Sequence, residues 1–260
     1  MRTQGGSGPR KGGAQDTFLG MKSRSRIMIV ETSAALAGQA ARLFAEAAQA
    51  AVAVRGRFLV ALAGGSTPRA MHRVLGRDPL RSEIPWHATH LYWGDERFVP
   101  VDSPESNYGR TRDDLLEHID IPASHIHPMP VAMDPEAAAL RYEEDLPEVL
   151  DLLFLGLGKD GHMASLFPGQ DALHERKRRV IPVEGGMPRV MRLTVTLPTI
   201  NRARKVVFLV SGGEKSAVAQ SVLGDPQASL PAACVRPING SLFWILDKEA
   251  ASRLPRGSRA

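Results

Sequence analysis

The 260-residue sequence predicts an α/β fold: an open, doubly wound, mostly parallel sheet with helices on both faces and a small antiparallel addition. Short apolar runs alternate with longer helix-period stretches along the chain, the pattern of consecutive βα units. The run Leu152–Leu157 is apolar without alternation, as a parallel strand covered on both faces must be. Polar, glycine-rich turns follow four of the apolar runs, where such sheets bind ligands.

Taken in order, Ile27–Val30 reads as the first strand, Ser33–Val54 as an alanine-rich helix capped by Thr32 or Ser33, and Phe58–Ala63 as the second strand. Further strands are expected at His90–Gly94, Leu152–Gly156, Val190–Thr196, Val206–Ser211 and Leu242–Leu246. Helical patterns lie around Tyr108–His118, Pro135–Leu146 and Glu214–Leu223. Between Lys177 and Pro198 there is strand character with little helix, which is where the antiparallel addition belongs.

Apolar content of 43% against 23% charged residues, without a long low-complexity tract, indicates a soluble globular chain. The expected organisation is a disordered basic tail over residues 1–25, one α/β domain over 26–250 and a second basic tail over 251–260. The net charge of +5 invites a nucleic-acid reading, so its location matters. Residues 1–26 carry +5 and residues 251–260 carry +3, leaving −3 on the body, a poor footprint for a duplex. The cluster His174–Arg179 has no interleaved aromatics and reads as a solvated surface loop. A single cysteine, Cys234, excludes an internal disulfide and reads as a small buried filler. No run of 18 uncharged apolar residues and no signal-peptide core are present, so a cytoplasmic protein without membrane partner is expected.

The four turns carry the chemistry. Gly64-Gly65-Ser66-Thr67-Pro68 combines close backbone approach with a helix start, Ser66 or Thr67 capping and Pro68 at the first helical position. Free N–H groups there would make an anion or phosphate site. Gly94-Asp95-Glu96-Arg97 is too polar for a core. Arg97 suits an oxyanion or phosphate, and Asp95 and Glu96 suit sugar hydroxyls or the orientation of a base. The glycine turn after Leu152–Leu157 displays Asp160 and His162, a proton-transfer pair. In Ser211-Gly212-Gly213-Glu214-Lys215 a lysine sits at the unfavourable pole of a helix dipole, which an anionic ligand would relieve. Gathered on one rim, the four suit a phosphorylated small molecule better than a polymer.

Gly156, Gly158 and Gly161 also spell GxGxxG, with Glu184 about 20 residues on, where a dinucleotide site would place its ribose-binding acid. That reading fails because Pro168-Gly169 stops the following helix after about two turns, too short for a βαβ crossover.

The segments AGGSTPRAM, YWGDERFVP with SNYG, FLGLGKDGHMASLFPG, RLTVTLPTIN and VVFLVSGGEKSAV, in this order between about Ile27 and Leu246, closely resemble the 6-phosphogluconolactonase family. The related glucosamine-6-phosphate deaminases share the GGSTP-like turn and DGH; ASLFPG and GDER look like the lactonase branch. Met163 departs from the pattern, which has a small residue there. The resemblance implies that the chain hydrolyses 6-phospho-D-glucono-1,5-lactone in the oxidative pentose phosphate pathway, without metal or cofactor, as a monomer or weak homo-oligomer. It further implies His162 as base with Asp160 beside it, and Arg97, Lys215 and the Gly65-Ser66-Thr67 backbone at the phosphate or developing charge. Arg192 resembles a family position near the substrate. A δ-lactone is an activated ester, so a neutral imidazole, with an ordinary pKa near 6.5, is base enough to activate the attacking water. Two alternatives remain at this point: a sugar-phosphate deaminase in which Asp95 abstracts a C2 proton, and a sugar-phosphate sensor without turnover.

Overall fold

The computed structural model describes residues 25–187, 189–225 and 228–255. The N-terminal tail up to residue 24 and the last five residues lie outside the described residues. Six strands form one sheet: β1 (Ser25–Val30), β2 (Phe58–Leu62), β3 (Thr89–Trp93), β5 (Leu152–Gly156), β8 (Lys205–Val210) and β9 (Ser241–Asp247). Their spatial order is β1-β9-β8-β5-β2-β3, and every adjacent pair is parallel. A second, antiparallel sheet in the order β4-β7-β6 uses β4 (Asp95–Arg97), β6 (Val180–Gly185) and β7 (Val190–Val195).

The long helix α1 (Ser33–Arg55) starts because the Thr32 hydroxyl accepts the Ala35 N–H at 3.2 Å, and it stops where Gly56 turns left-handed at φ 71°. Its inner face, including Leu36, Ala40, Phe44 and Ala48, is fully buried. Alanines let the helix lie close to the sheet, where the Phe44 ring meets Phe58 edge-on at 5.3 Å. On the other side of the chain's midpoint, Phe208 and Trp244 stack at 3.9 Å across the neighbouring strands β8 and β9. The remaining helices are α2 (Ser66–Leu75), α3 (Leu80–Glu83), α4 (Asn107–Asp114), α5 (Pro135–Asp145), α6 (Leu197–Arg202) and α7 (Ser216–Gly224).

The strand order contains one reversal. From β2 the chain steps outward to β3, whereas from β5 it steps the other way to β8 and then β9. The loops after β2 and β5 therefore part in opposite directions, leaving a crevice between their carboxyl ends, where doubly wound sheets bind ligands.

Three local expectations are corrected. Asp95-Glu96-Arg97 is a short strand rather than a turn, because it pairs with β7 and spends its carboxylates on neighbouring donors. No helix follows the β5 glycine turn: residues 161–170 are irregular, with left-handed Gly161, Ala164 and Gly169 and a bridge between Met163 and Leu166. Met163 itself is fully buried in the core. The core also reaches past residue 250, since Ala251 and Leu254 are buried against it.

The basic cluster is partly absorbed into the fold: the Glu143 carboxylate on α5 accepts from Arg178 Nε at 3.1 Å and from the Arg179 backbone N–H at 2.7 Å. Cys234 is half-buried, its thiol directed at the Leu230 carbonyl. Among the described residues no helix is long and apolar enough to cross a membrane.

His72 on α2 is 1% exposed, and neither ring nitrogen has a hydrogen-bond partner among the described residues. Burial pushes its imidazole down to about 4, against the pull of Asp114. A folded-state value below the unfolded one means the unfolded chain binds the extra proton, so stability is lost as pH falls from the ordinary histidine range towards 4. Urea unfolding at pH 7 and pH 5 should differ by about 2 kcal/mol from this group alone, and His72→Leu should remove that difference.

Candidate active site

A cavity of about 870 Å³ occupies the crevice. It is lined from β2 by Gly64–Pro68, from β5 by Gly156–Asp160 and His162, from β8 by Ser211 and Lys215, and from the small sheet by Asp95, Arg97 and Arg192. Nine of the ten residues singled out in the sequence thus meet around one space, and Glu96 does not.

His162 stands on the loop after β5. Its Nδ1 lies 2.5 Å from Asp160 Oδ1, and the same oxygen accepts the His162 backbone N–H at 3.1 Å. An ionised carboxylate there favours the tautomer that carries its proton on Nδ1 and its lone pair on Nε2. Burial alone would raise the Asp160 carboxyl, but the His162 N–H and ring outweigh it and hold Asp160 below its usual range. The pair rests on Gly158, where a Cβ would fall 2.0 Å from His162 Nδ1 and 2.6 Å from Asp160 Oδ1. Only glycine leaves room for it.

The start of α2 differs from expectation. Gly65 is the N-cap at φ 95°, no side chain caps the helix, and Pro68 is its third residue. The amides of Ser66 and Thr67, in the first turn, consequently have no intrahelical acceptor, and both residues line the cavity. Gly64 is held to glycine by Asn107, whose Oδ1 would lie 1.9 Å from an added Cβ.

Arg97 and Arg192 face each other directly across β4 and β7. Two guanidinium groups opposed in this way repel, and an anion between or beside them relieves the repulsion. Arg192 is 7% exposed, donates from Nε to the Gly185 carbonyl at 3.0 Å and packs with Cζ 5.6 Å from the Phe167 ring centroid. Burial, then Arg97, pull it below the ordinary arginine range. Arg97 donates from Nη1 to the Glu105 carbonyl, and its buried Nε has no partner among the described residues. Lys215, just before α7, makes no ion pair among the described residues; burial lowers its pKa, with Lys159 adding to the effect and Glu214 opposing it. Lys159 joins the cavity wall as an exposed cation that was not singled out in the sequence.

The two acidic residues of β4 are spoken for. Asp95 Oδ2 accepts the Ser165 hydroxyl at 2.6 Å, and Oδ1 is 3.2 Å from Asn107 Nδ2. Glu96, expected against sugar hydroxyls, turns away from the cavity to the start of α4. Its carboxylate accepts the Arg97 and Asn107 N–H groups at 2.8 Å, the Tyr108 N–H at 2.7 Å and the Ser106 hydroxyl at 3.1 Å. Burial pushes it above the ordinary carboxylate range, and the three backbone donors oppose the rise. Glu96→Ala leaves four donors without an acceptor and should cost about 3 kcal/mol, roughly 6–12 °C in Tm. Thermal unfolding followed by circular dichroism checks it.

Ser165, Asn107 and Phe167 were missed as site-shaping residues, although all three lie within the quoted segments. The roles of Asn107 and Ser165 depend on contacts across 12 and 70 residues of chain, which no local pattern reveals.

The fold and the crevice together define a doubly wound α/β protein with a cation-lined rim around a histidine–aspartate pair at the switch point. Comparison with known proteins narrows this. The family model for glucosamine-6-phosphate isomerases/6-phosphogluconolactonase matches residues 31–244. The chain is 43% identical over 219 residues to a 6-phosphogluconolactonase of Synechocystis, covering 78% of this chain and 88% of the relative. It is 40% identical over 247 residues to that of Mycobacterium tuberculosis, covering 89% and 99%. Among solved structures, 6-phosphogluconolactonase from Trypanosoma cruzi superposes with a TM-score of 0.79 at 30% identity, covering 90% of this chain and 98% of that one. The chain belongs to the glucosamine-6-phosphate isomerase/6-phosphogluconolactonase family.

Proposed function

We propose that the chain hydrolyses 6-phospho-D-glucono-1,5-lactone to 6-phospho-D-gluconate, with His162 as the general base. The observation that carries this reading is the Asp160–His162 pair at 2.5 Å, set in a crevice whose other walls supply α2 amides and the cations Arg97, Arg192 and Lys215. Relatives named 6-phosphogluconolactonase at 43% and 40% identity support the same substrate.

In this mechanism His162 Nε2 takes a proton from water as the water oxygen bonds to C1. The carbonyl electrons move onto the exocyclic oxygen, and the resulting oxyanion is stabilised by neighbouring N–H groups or a cation. Collapse of the intermediate breaks the bond from C1 to the ring oxygen. That oxygen leaves as a hydroxyl with the proton returned from His162, and the carboxylic acid ionises to release one proton to solvent. Asp160 keeps the ring in the reactive tautomer and offsets the imidazolium charge.

The deaminase alternative needs Asp95 to remove a C2 proton. Its Oδ2 is engaged by Ser165 in a buried setting, which favours a structural part for this carboxylate. Supplying the purified protein with fresh lactone and, separately, with glucosamine 6-phosphate separates the readings. The lactonase releases one proton per lactone consumed, above the spontaneous rate, and no ammonia. Ammonia from the amino sugar would instead support a deaminase, and no turnover of either would support a sensor.

A further inference from the structure

We infer that Phe167 is a positioning residue for the base: it fixes the tilt of the His162 imidazole. The inference rests on the lactonase reading above for its kinetic consequences. Its geometric part stands on contacts in the crevice alone.

The hydrogen bond from His162 Nδ1 to Asp160 restrains one ring atom, which does not by itself fix both side-chain torsions of the imidazole. With a third of its side chain exposed, His162 is not held by general burial either. Two further contacts restrict the ring. The backbone of Gly158 passes beneath the ring, and the Phe167 ring stands against it at 4.8 Å between centroids, tilted by 44°. That is an ordinary distance for an attractive aromatic pair. Phe167 thus supplies a wall on which the direction of Nε2 depends.

The wall is itself rigidly built. Phe167 is only 7% exposed, and its ring occupies the space beside Gly185, where an added Cβ would lie 2.5 Å from Cε2. The Arg192 guanidinium packs against the same ring and is tied through Nε to the Gly185 carbonyl. Gly186, at φ 88°, leaves room for that guanidinium, because a Cβ there would fall 2.3 Å from Nη2. Two consecutive glycines at the end of β6 therefore accommodate an aromatic ring and a cation, and the ring in turn backs the base. A π face is also suited to the charge His162 acquires in the reaction, since a cation is attracted to it.

The test uses Phe167→Leu, which keeps an apolar side chain but removes the flat wall, and Phe167→Tyr, which restores it. On fresh lactone, Phe167→Leu should lower kcat by about 10- to 100-fold, the loss that misplacing a catalytic group by about 1 Å brings, with KM within about twofold. Phe167→Tyr should recover most of the rate. In a His162→Ala background Phe167→Leu should change the residual rate by less than about twofold, because the base it positions is gone. An equal loss in that background, or a raised KM with kcat unchanged, would overturn the assignment.

A substrate-free reading separates this from the reaction itself. In NMR spectra the His162 ring protons should show a ring-current shift in the wild type and in Phe167→Tyr that disappears in Phe167→Leu. Unchanged His162 signals in Phe167→Leu would overturn the inference even if lactone is turned over. Absence of lactone turnover in the wild type, with the shift present, would refute the reaction and leave the positioning contact standing.

Discussion

Gly158→Ala is expected to lower kcat by about 100-fold or more while leaving the protein folded. The new methyl carbon would lie 2.0 Å from His162 Nδ1, 2.2 Å from its Cε1 and 2.6 Å from Asp160 Oδ1. Something must move, and the cheapest movers are the two side chains, which are partly exposed and sit at the end of the loop. They are also the proposed catalytic pair. Backbone clashes would have cost stability; side-chain clashes here cost geometry. Circular dichroism and Tm should therefore change little, and initial rates on fresh lactone should collapse. A variant with unaltered rate would show that the pair does not need its present place.

His162→Ala should be at least as damaging, with kcat reduced by about 10²–10⁴ in the usual range for removal of a general base. Complete loss is not expected, because a lactone is activated towards water and the cations and α2 amides of the crevice remain to stabilise the oxyanion. Asp160→Asn should follow with a smaller loss. It replaces the charge that holds the Nδ1 proton with an amide, which can still bond to the ring but no longer enforces one tautomer.

Much of this is legible in the sequence, and the reasons differ from element to element. The parallel strands are legible because a strand covered on both faces needs an unbroken apolar run, as Leu152–Gly156 and the stretch Val206–Val210 of β8 have. The meeting of distant turns followed from strand direction, since all carboxyl ends of a parallel sheet lie on one side. β4 was not legible, because Asp95-Glu96-Arg97 carries no apolar residue, and its strand character comes wholly from pairing with β7. Glu96 was placed at the substrate for the same reason. Its real partners are the N–H groups of Asn107 and Tyr108, more than ten residues ahead, which a buried carboxylate can satisfy as well as a sugar can. The start of α2 is not legible locally: Gly65 takes the N-cap position and no hydroxyl of Ser66 or Thr67 caps the helix. Burial of Arg192 depends on the Gly185-Gly186 pair and on Phe167 from another loop, a three-body packing arrangement without any sequence period.

The most direct measurement is the initial rate of hydrolysis of fresh 6-phospho-D-glucono-1,5-lactone by the wild type and by His162→Ala, each corrected for spontaneous opening. The account predicts rapid release of one proton per lactone by the wild type and a rate about 10²–10⁴ lower in the variant. Equal rates in the two proteins would contradict it, since the base at the centre of the crevice would then have no part in the chemistry.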